Sequence, residues 1–309
     1  MTTRLYTSPL SLEHPVPPGH PERPDRIRAV LEALEHEDFA ALERHEAEPA
    51  SIDLAMLAHP GEHLDKVKRA IPDEGLHQVD GDTHVGPRSL DAALACISGA
   101  VDAVDAVIEG RADNAHVAMR PPGHHAEKTT AMGFCLFNTV AIAARHAQRK
   151  HGLERVAVVD FDVHHGNGTQ DIFWDDASVL FCSTHQMPLY PGTGAKGETG
   201  TANTIVNAPL RPGDGGETFR EAFAARVLPR LSDFVPELVL VSAGFDAHHR
   251  DPLAELELTA DDFDWATGKL MDVAARHAGN RLVSVLEGGY DLMGLAESDA
   301  AHVRRLMRG

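Results

Sequence analysis

Short apolar runs at 115–119, 155–159, 237–243 and 281–286 recur along this chain, and each ends abruptly in polar, chemistry-bearing residues. They are rich in Val, Leu and Ala and show little alternation. Such runs suit strands of a parallel sheet covered on both faces, because neither face meets water. Amphipathic segments with helical spacing cover 23–36, 89–109, 138–150, 216–234, 260–277 and 292–307. This order predicts βαβ units and an α/β fold on a mainly parallel sheet. No linker, low-complexity tract, internal repeat or long charge block interrupts it, so 1–309 is expected to form one domain. The stretch 183–203 is rich in Gly and Pro with little periodicity, and is expected to be a site-lining loop.

The residues after these runs change the picture. In open parallel sheets, chemistry collects beyond the carboxyl ends of the strands. The run 155–159 leads into Asp160-Phe161-Asp162-Val163-His164-His165-Gly166-Asn167-Gly168. Asp162 and His164 are two apart, so extended backbone would point both toward one cation. A carboxylate and an imidazole suit zinc or another divalent first-row metal. An isolated Asp-x-Asp ordinarily caps a helix, but four ionisable groups within six residues after an apolar strand point to a metal. The run 115–119 ends in Arg120-Pro121-Pro122-Gly123-His124-His125-Ala126, where two prolines stop the strand and forbid an immediate helix. Adjacent histidines therefore sit on a rigid turn. After 237–243 comes Gly244-Phe245-Asp246-Ala247-His248-His249, which offers Asp246 as a third ligand. Two carboxylates and one imidazole leave positions open for water and substrate, as a catalytic site requires. His248 and His249 repeat the ligand spacing and are either a second metal site or, as favoured here, part of a loop beyond the ligand. After 281–286 comes Glu287-Gly288-Gly289-Tyr290, whose glycines let backbone approach a ligand and present a phenol.

Composition narrows the setting. The net charge of −19 argues against nucleic acid as a partner and is compatible with cationic substrates such as lysine-rich tails or polyamines. The 3 cysteines, Cys96, Cys135 and Cys182, are too few and too scattered for a disulfide scaffold, which fits a reducing compartment. The start of the chain lacks the apolar core of a signal peptide, and no stretch approaches the ~20 apolar residues of a membrane span. A soluble cytoplasmic protein is expected. Among the 20 histidines, His14, His59, His146, His151 and His302 have no clustered ligand partners in sequence and read as surface or ordinary packed residues.

At these motifs the chain resembles the zinc-dependent histone deacetylase superfamily, which also holds acetylpolyamine amidohydrolases and acetoin-utilisation proteins. The resemblance spans most of the chain, from Gly19-His20-Pro21-Glu22-Arg23-Pro24 through Gly133-Phe134-Cys135-Leu136-Phe137-Asn138 and Tyr190-Pro191-Gly192-Thr193-Gly194 to Tyr290. It implies an arginase/deacetylase-like three-layer α/β/α sandwich with a mainly parallel central sheet. Asn167 and Glu287-Gly288-Gly289-Tyr290 look like the class II branch and its bacterial relatives.

By this resemblance Asp162, His164 and Asp246 would hold one zinc. His124, backed by Asp160, would bond the metal-bound water, and His125 would act as general base and then acid, leaning on Asn167 where many relatives have Asp. Tyr290 would donate to the oxyanion. Gly133, Phe134, Tyr190, Leu253, Gly288 and Gly289 would form the substrate channel, with His20 at its rim. Potassium would lie near Asp160, Asp162, His164 and Ser183, and a second ion near Phe173 and Val179. The activity implied is deacetylation of acyl-lysine in proteins or peptides, releasing acetate and amine. Acetylpolyamines or another small acetylated amine are the alternative substrates. Leu253 occupies a rim position that is apolar in many lysine deacetylases and Glu in a polyamine-selective branch; Glu13, Asp82 and Glu255 are the carboxylates that would compete with it. An arginase-like two-manganese hydrolase and an inactive acyl-lysine-binding protein are the weaker rivals.

Overall fold

In the computed structural model, which describes all 309 residues, the strands are β1 (Thr3–Thr7), β2 (Glu43–Glu46), β3 (His77–Gln78), β4 (His84–Val85), β5 (Asn114–Val117), β6 (Val156–Asp160), β7 (Val179–Gln186), β8 (Ile205–Leu210), β9 (Leu238–Ala243) and β10 (Leu282–Leu286). Eight of them build one sheet in the order β2-β1-β5-β10-β9-β6-β7-β8, and every neighbouring pair is parallel. β3 and β4 form a small antiparallel pair apart from it.

The apolar runs form strands because alternate side chains enter two separate cores. Val156 and Val158 of β6 pack on one side with the helices Ser89–Ile108 and Thr139–His151. Ala157 and Val159 pack on the other with Pro24–Ala33, Ala260–His277 and Leu292–Arg308. β9 divides in the same way, Leu238 and Leu240 against Val239, Val241 and Ala243. The result is a three-layer α/β/α sandwich of the arginase/deacetylase type. Helix ends follow local chemistry: Asn138 caps Thr139–His151 by accepting the Ala141 N–H at 3.0 Å, and Gly152 ends that helix in the left-handed region.

Two expectations need correction. The segment 183–203 is not loop throughout, since Ser183 to Gln186 complete β7. That half-strand is polar yet buried: Ser183 Oγ lies 2.9 Å from His185 Nδ1, and Gln186 Oε1 accepts the Glu255 N–H at 2.8 Å. The amphipathic segment 23–36 yields a shorter helix, Pro24–Ala33, before the chain turns toward β2. The strands with ionisable ends, β5, β10, β9 and β6, are four adjacent members of the sheet. Their carboxyl ends therefore open onto one place.

Candidate active site

β6 stops at Asp160 and the chain leaves the sheet through an irregular turn before the helix Asn167–Phe173. Asp162 and His164 thus converge through a turn rather than through extended backbone. Asp162 Oδ1 accepts the His164 N–H at 2.9 Å and lies 3.2 Å from His164 Nδ1. Asp246, just past β9, places Oδ2 3.0 Å from that Nδ1, while its Oδ1 accepts the Val163 N–H at 2.7 Å. One donor atom from each of the three lies within 4.8 Å of the others.

The donor set fits a divalent cation. Both carboxylates are fully buried, their only ion-pair partners are His124 and His164, and neither has a Lys or Arg. Buried charge without an opposite partner is costly, so this place calls for a positive ion. Burial opposes a charge on His164, yet its bonds to Asp162 and Asp246 push it up to about 10. Burial and then the Asp162 charge push Asp246 up to about 7. Backbone closes the site behind: the Gly288 N–H donates to Asp162 Oδ2 at 2.8 Å, and a side chain at Gly244 or Gly288 would run into the ligand carboxylates.

The two histidines beyond β5 have opposite electrostatics. His124 Nδ1 lies 2.9 Å from Asp160 Oδ2. Burial disfavours its charge, but Asp160, Asp162 and Glu287 overcome this and lift it well above the ordinary range. His125 is held well below that range by burial and then by positive charge on His124 and His164. Its Nδ1 lies 2.8 Å from Asn167 Oδ1. Glu287 fixes the turn carrying both rings by accepting the N–H groups of Gly123 at 2.7 Å and His124 at 3.1 Å.

A cleft of about 240 Å³ leads to these groups, lined by Asp82, His125, Gly133, Phe134, His164, Leu189, Tyr190, Leu253 and Tyr290. Gly133 lies flat on the His125 ring, where a Cβ would clash. Phe134 follows in the left-handed region at φ 68°, a conformation that costs an ordinary residue roughly 1 kcal/mol. Its N–H is held by Thr83 Oγ1 at 3.0 Å. Tyr190 meets His125 edge-on at 5.2 Å, and Phe134 meets Tyr290 edge-on at 5.9 Å.

Of the other residues expected at the site, Gly288 and Gly289 stand apart from the cleft, while the rest fall near their expected surroundings. Gly288 lies against Asp162 and Asp246 and Gly289 against Leu295, neither on the cleft wall, and the Gly289 carbonyl accepts from Arg26 Nε at 2.6 Å. Glu13 is engaged by Arg88 at 2.8 Å and Glu255 Oε2 accepts from Gln186 Nε2 at 3.5 Å, and of the three carboxylates only Asp82 lines the cleft. His20 packs edge-on against Phe134 at 4.8 Å. His248 turns to Glu297 at 2.9 Å, away from the ligand group. Ser183 is buried beside Asp160 in the sheet register, while Phe173 and Val179 are buried in the core.

His146 and His151 do have partners, contrary to expectation: both Nε2 atoms lie 2.7 Å from Asp105 Oδ1 on the neighbouring helix. Lys150 Nζ, 2.6 Å from Asp105 Oδ2, supplies the positive charge there, so the group is complete as an ion cluster. His14 and His302 also sit in buried networks, His14 with Ser89 and His302 with Ser284 and Thr267.

Sequence reasoning also passed over Arg26. This buried guanidinium donates to the carbonyls of Glu287 and Gly289 and lies under the Tyr290 ring, 4.9 Å from its centre. Glu22 holds it at 3.1 Å and binds Arg120 through both oxygens at 2.7 and 2.6 Å. The only sequence signal was the acidic residue among the prolines of the first motif.

Fold and site together define an α/β protein with a buried group of two carboxylates and an imidazole that could hold a metal ion at the carboxyl ends of a parallel sheet. The model of the histone deacetylase domain matches residues 20–306, and the chain belongs to that family. It is 42% identical to the histone deacetylase-like amidohydrolase of Pseudomonas aeruginosa, over 90% of this chain and 74% of that protein. It is 39% identical to a probable deacetylase of Archaeoglobus fulgidus, over 95% of this chain and 83% of the other. The crystal structure of the HDA15 HD domain superposes with a TM-score of 0.92 at 35% identity, covering 98% of this chain and 88% of that one.

Proposed function

We propose that the protein is a zinc-dependent amidohydrolase that removes acetyl or other acyl groups from the side-chain amine of acyl-lysine in proteins or peptides. The observation that carries this reading is the meeting of a three-ligand group, two unlike imidazoles and a phenol at the end of a narrow, largely apolar cleft. Zinc held by Asp162, His164 and Asp246 would supply a Lewis acid for the acyl oxygen and a water whose pKa is lowered to about 7.

The chain's own groups supply the rest. His125, kept neutral, takes the proton of the attacking water and afterwards delivers it to the departing amine. His124, backed by Asp160, holds a hydrogen bond to the same water. Tyr290, steadied by Arg26, donates to the oxygen as it gains charge. Phe134, Leu189, Tyr190 and Leu253 enclose the alkyl stem and exclude bulk water. Potassium beside Ser183, and a second ion near Phe173 and Val179, belong to the same reading. A cytoplasmic setting is supported by three free, buried thiols.

Asp82 favours a second reading, because a carboxylate in the cleft wall can pair with the distal ammonium of an acetylpolyamine. Comparing kcat/KM for acetyl-lysine peptides and N8-acetylspermidine decides between them. Higher values for the peptides are expected, with a gain for the polyamine in Leu253→Glu. A parent protein that hydrolyses the polyamine faster than every peptide would overturn the acyl-lysine reading.

A further inference from the structure

Behind His125 runs a chain of polar groups that the proposed reaction does not use. Asn167 turns Oδ1 to His125 Nδ1 at 2.8 Å, and its Nδ2 donates to Glu127 Oε1 at 2.8 Å and lies 3.4 Å from Met132 Sδ. An amide alone does not choose a histidine tautomer. With its oxygen toward the ring it requires Nδ1–H; with its NH₂ toward the ring it requires a bare Nδ1. An ionised carboxylate removes the choice, because it only accepts. Glu127 must face the NH₂ of Asn167, so the amide oxygen must face the ring and the proton must sit on Nδ1.

Glu127 is itself held in place. Its N–H donates to the Thr130 carbonyl at 2.9 Å, and the neighbouring Lys128 N–H donates to Asp171 Oδ2 at 2.9 Å. Asp171 and Asn167 share one helix, so the carboxylate and the amide it directs are fixed to the same element.

We propose that Glu127 is a positioning residue: through Asn167 it fixes the Nδ1–H tautomer and the ring orientation of His125, leaving Nε2 free to take a proton from water. The inference rests on the reading of His125 as the base. It also explains how an amide serves at position 167. An aspartate there would only accept, would set the same tautomer unaided, and would face Glu127 as a like charge.

The test is Glu127→Gln made in the parent and in Asn167→Asp. A Gln offers either an oxygen or an NH₂ to Asn167 and so releases the amide. In the parent background Glu127→Gln should lower kcat about 10-fold, the scale of losing a group that supports a working side chain, with KM and zinc content unchanged. In the Asn167→Asp background it should be neutral or should raise kcat, because it removes a repulsion. Nitrogen NMR of the zinc-loaded, histidine-labelled protein, with the His125 signals assigned by their loss in His125→Ala, should show one tautomer in the parent and a mixture in Glu127→Gln. Equal losses in both backgrounds, or an unchanged His125 tautomer in Glu127→Gln, would overturn the proposal. Glu127→Ala, which leaves the amide to water, repeats the tautomer measurement should Gln disturb folding. The spectrum does not need turnover: a protein inactive on every acyl amide defeats the functional reading, and the tautomer still decides the role of Glu127.

Discussion

Gly288→Ala should weaken zinc binding without altering a single ligand. A Cβ at this position would lie 2.5 Å from Asp162 Oδ2 and 2.8 Å from Asp246 Cγ, and closer still to Asp246 Oδ2. Ordinary van der Waals contact begins at 3.4 Å, so Asp162 Oδ2 would have to retreat by about 0.9 Å and Asp246 by more. Metal–oxygen bonds tolerate about 0.2 Å. The methyl cannot swing away, since Gly288 is tied by its N–H to Asp162 and by its carbonyl to the Phe245 N–H at 3.0 Å. Two of three ligands are displaced at once, so we expect zinc affinity to fall about 100-fold, close to 3 kcal/mol. Competition with a calibrated chelator measures it, and thermal unfolding of the metal-free protein checks that the fold survives. Gly61→Ala is the control, because a Cβ there meets nothing within 4 Å. Affinity within about threefold of the parent in Gly288→Ala would refute the reasoning, since it would mean the carboxylates move freely.

Other substitutions probe separate parts of the molecule. Asp162→Ala and Asp246→Ala should lose metal and activity together by elemental analysis and peptide turnover. His125→Ala and Tyr290→Phe should keep the metal and lose roughly 10²-fold or more in kcat. Phe263→Ala, removing a fully buried ring 5.1 Å from Phe245 and 5.8 Å from Phe161, should cost about 3–5 kcal/mol in urea unfolding. Burial pushes the Asp105 carboxyl up, but its bonds from Lys150, His151 and His146 hold it at about 2. A carboxyl depressed in the folded state stabilises the protein fully above its unfolded value, and this is lost as the pH falls from about 4 toward 2. Asp105→Asn should therefore lower stability at pH 5 more than at pH 2.5, and an equal loss at both would contradict the linkage.

The central strands were legible because both their faces are buried, which writes continuous apolar runs into β5, β6, β9 and β10. The cluster at their ends was legible because carboxylates and imidazoles follow each strand within a few residues. β2 was not, since Glu43-Arg44-His45-Glu46 forms a polar edge that pairs through backbone with β1 alone. The end of β7 hid for a different reason: its residues are polar yet buried, and Gln186 finds its partner in Glu255, far along the chain. His146 and His151 are five apart on one helix, outside the spacing that puts side chains on a shared face, and Asp105 reaches them from another helix. Glu127 carried no signal in the sequence, because its contact with Asn167 depends on the direction of one amide.

The order of synthesis runs against the order of the sheet. β9 and β10 are made after β8, yet they belong between β5 and β6. Until they emerge, the nascent chain can pair only β2-β1-β5 and β6-β7-β8, and each half keeps an open apolar edge where the middle is missing. Open edges pair with other chains, so misassembly threatens most between Leu210 and Leu286. Asp162 and His164 wait through that interval without Asp246, and Tyr290 comes later still. The three-residue group is therefore complete only once β9 has joined β6, and Tyr290 reaches the cleft only after β10 has closed the sheet.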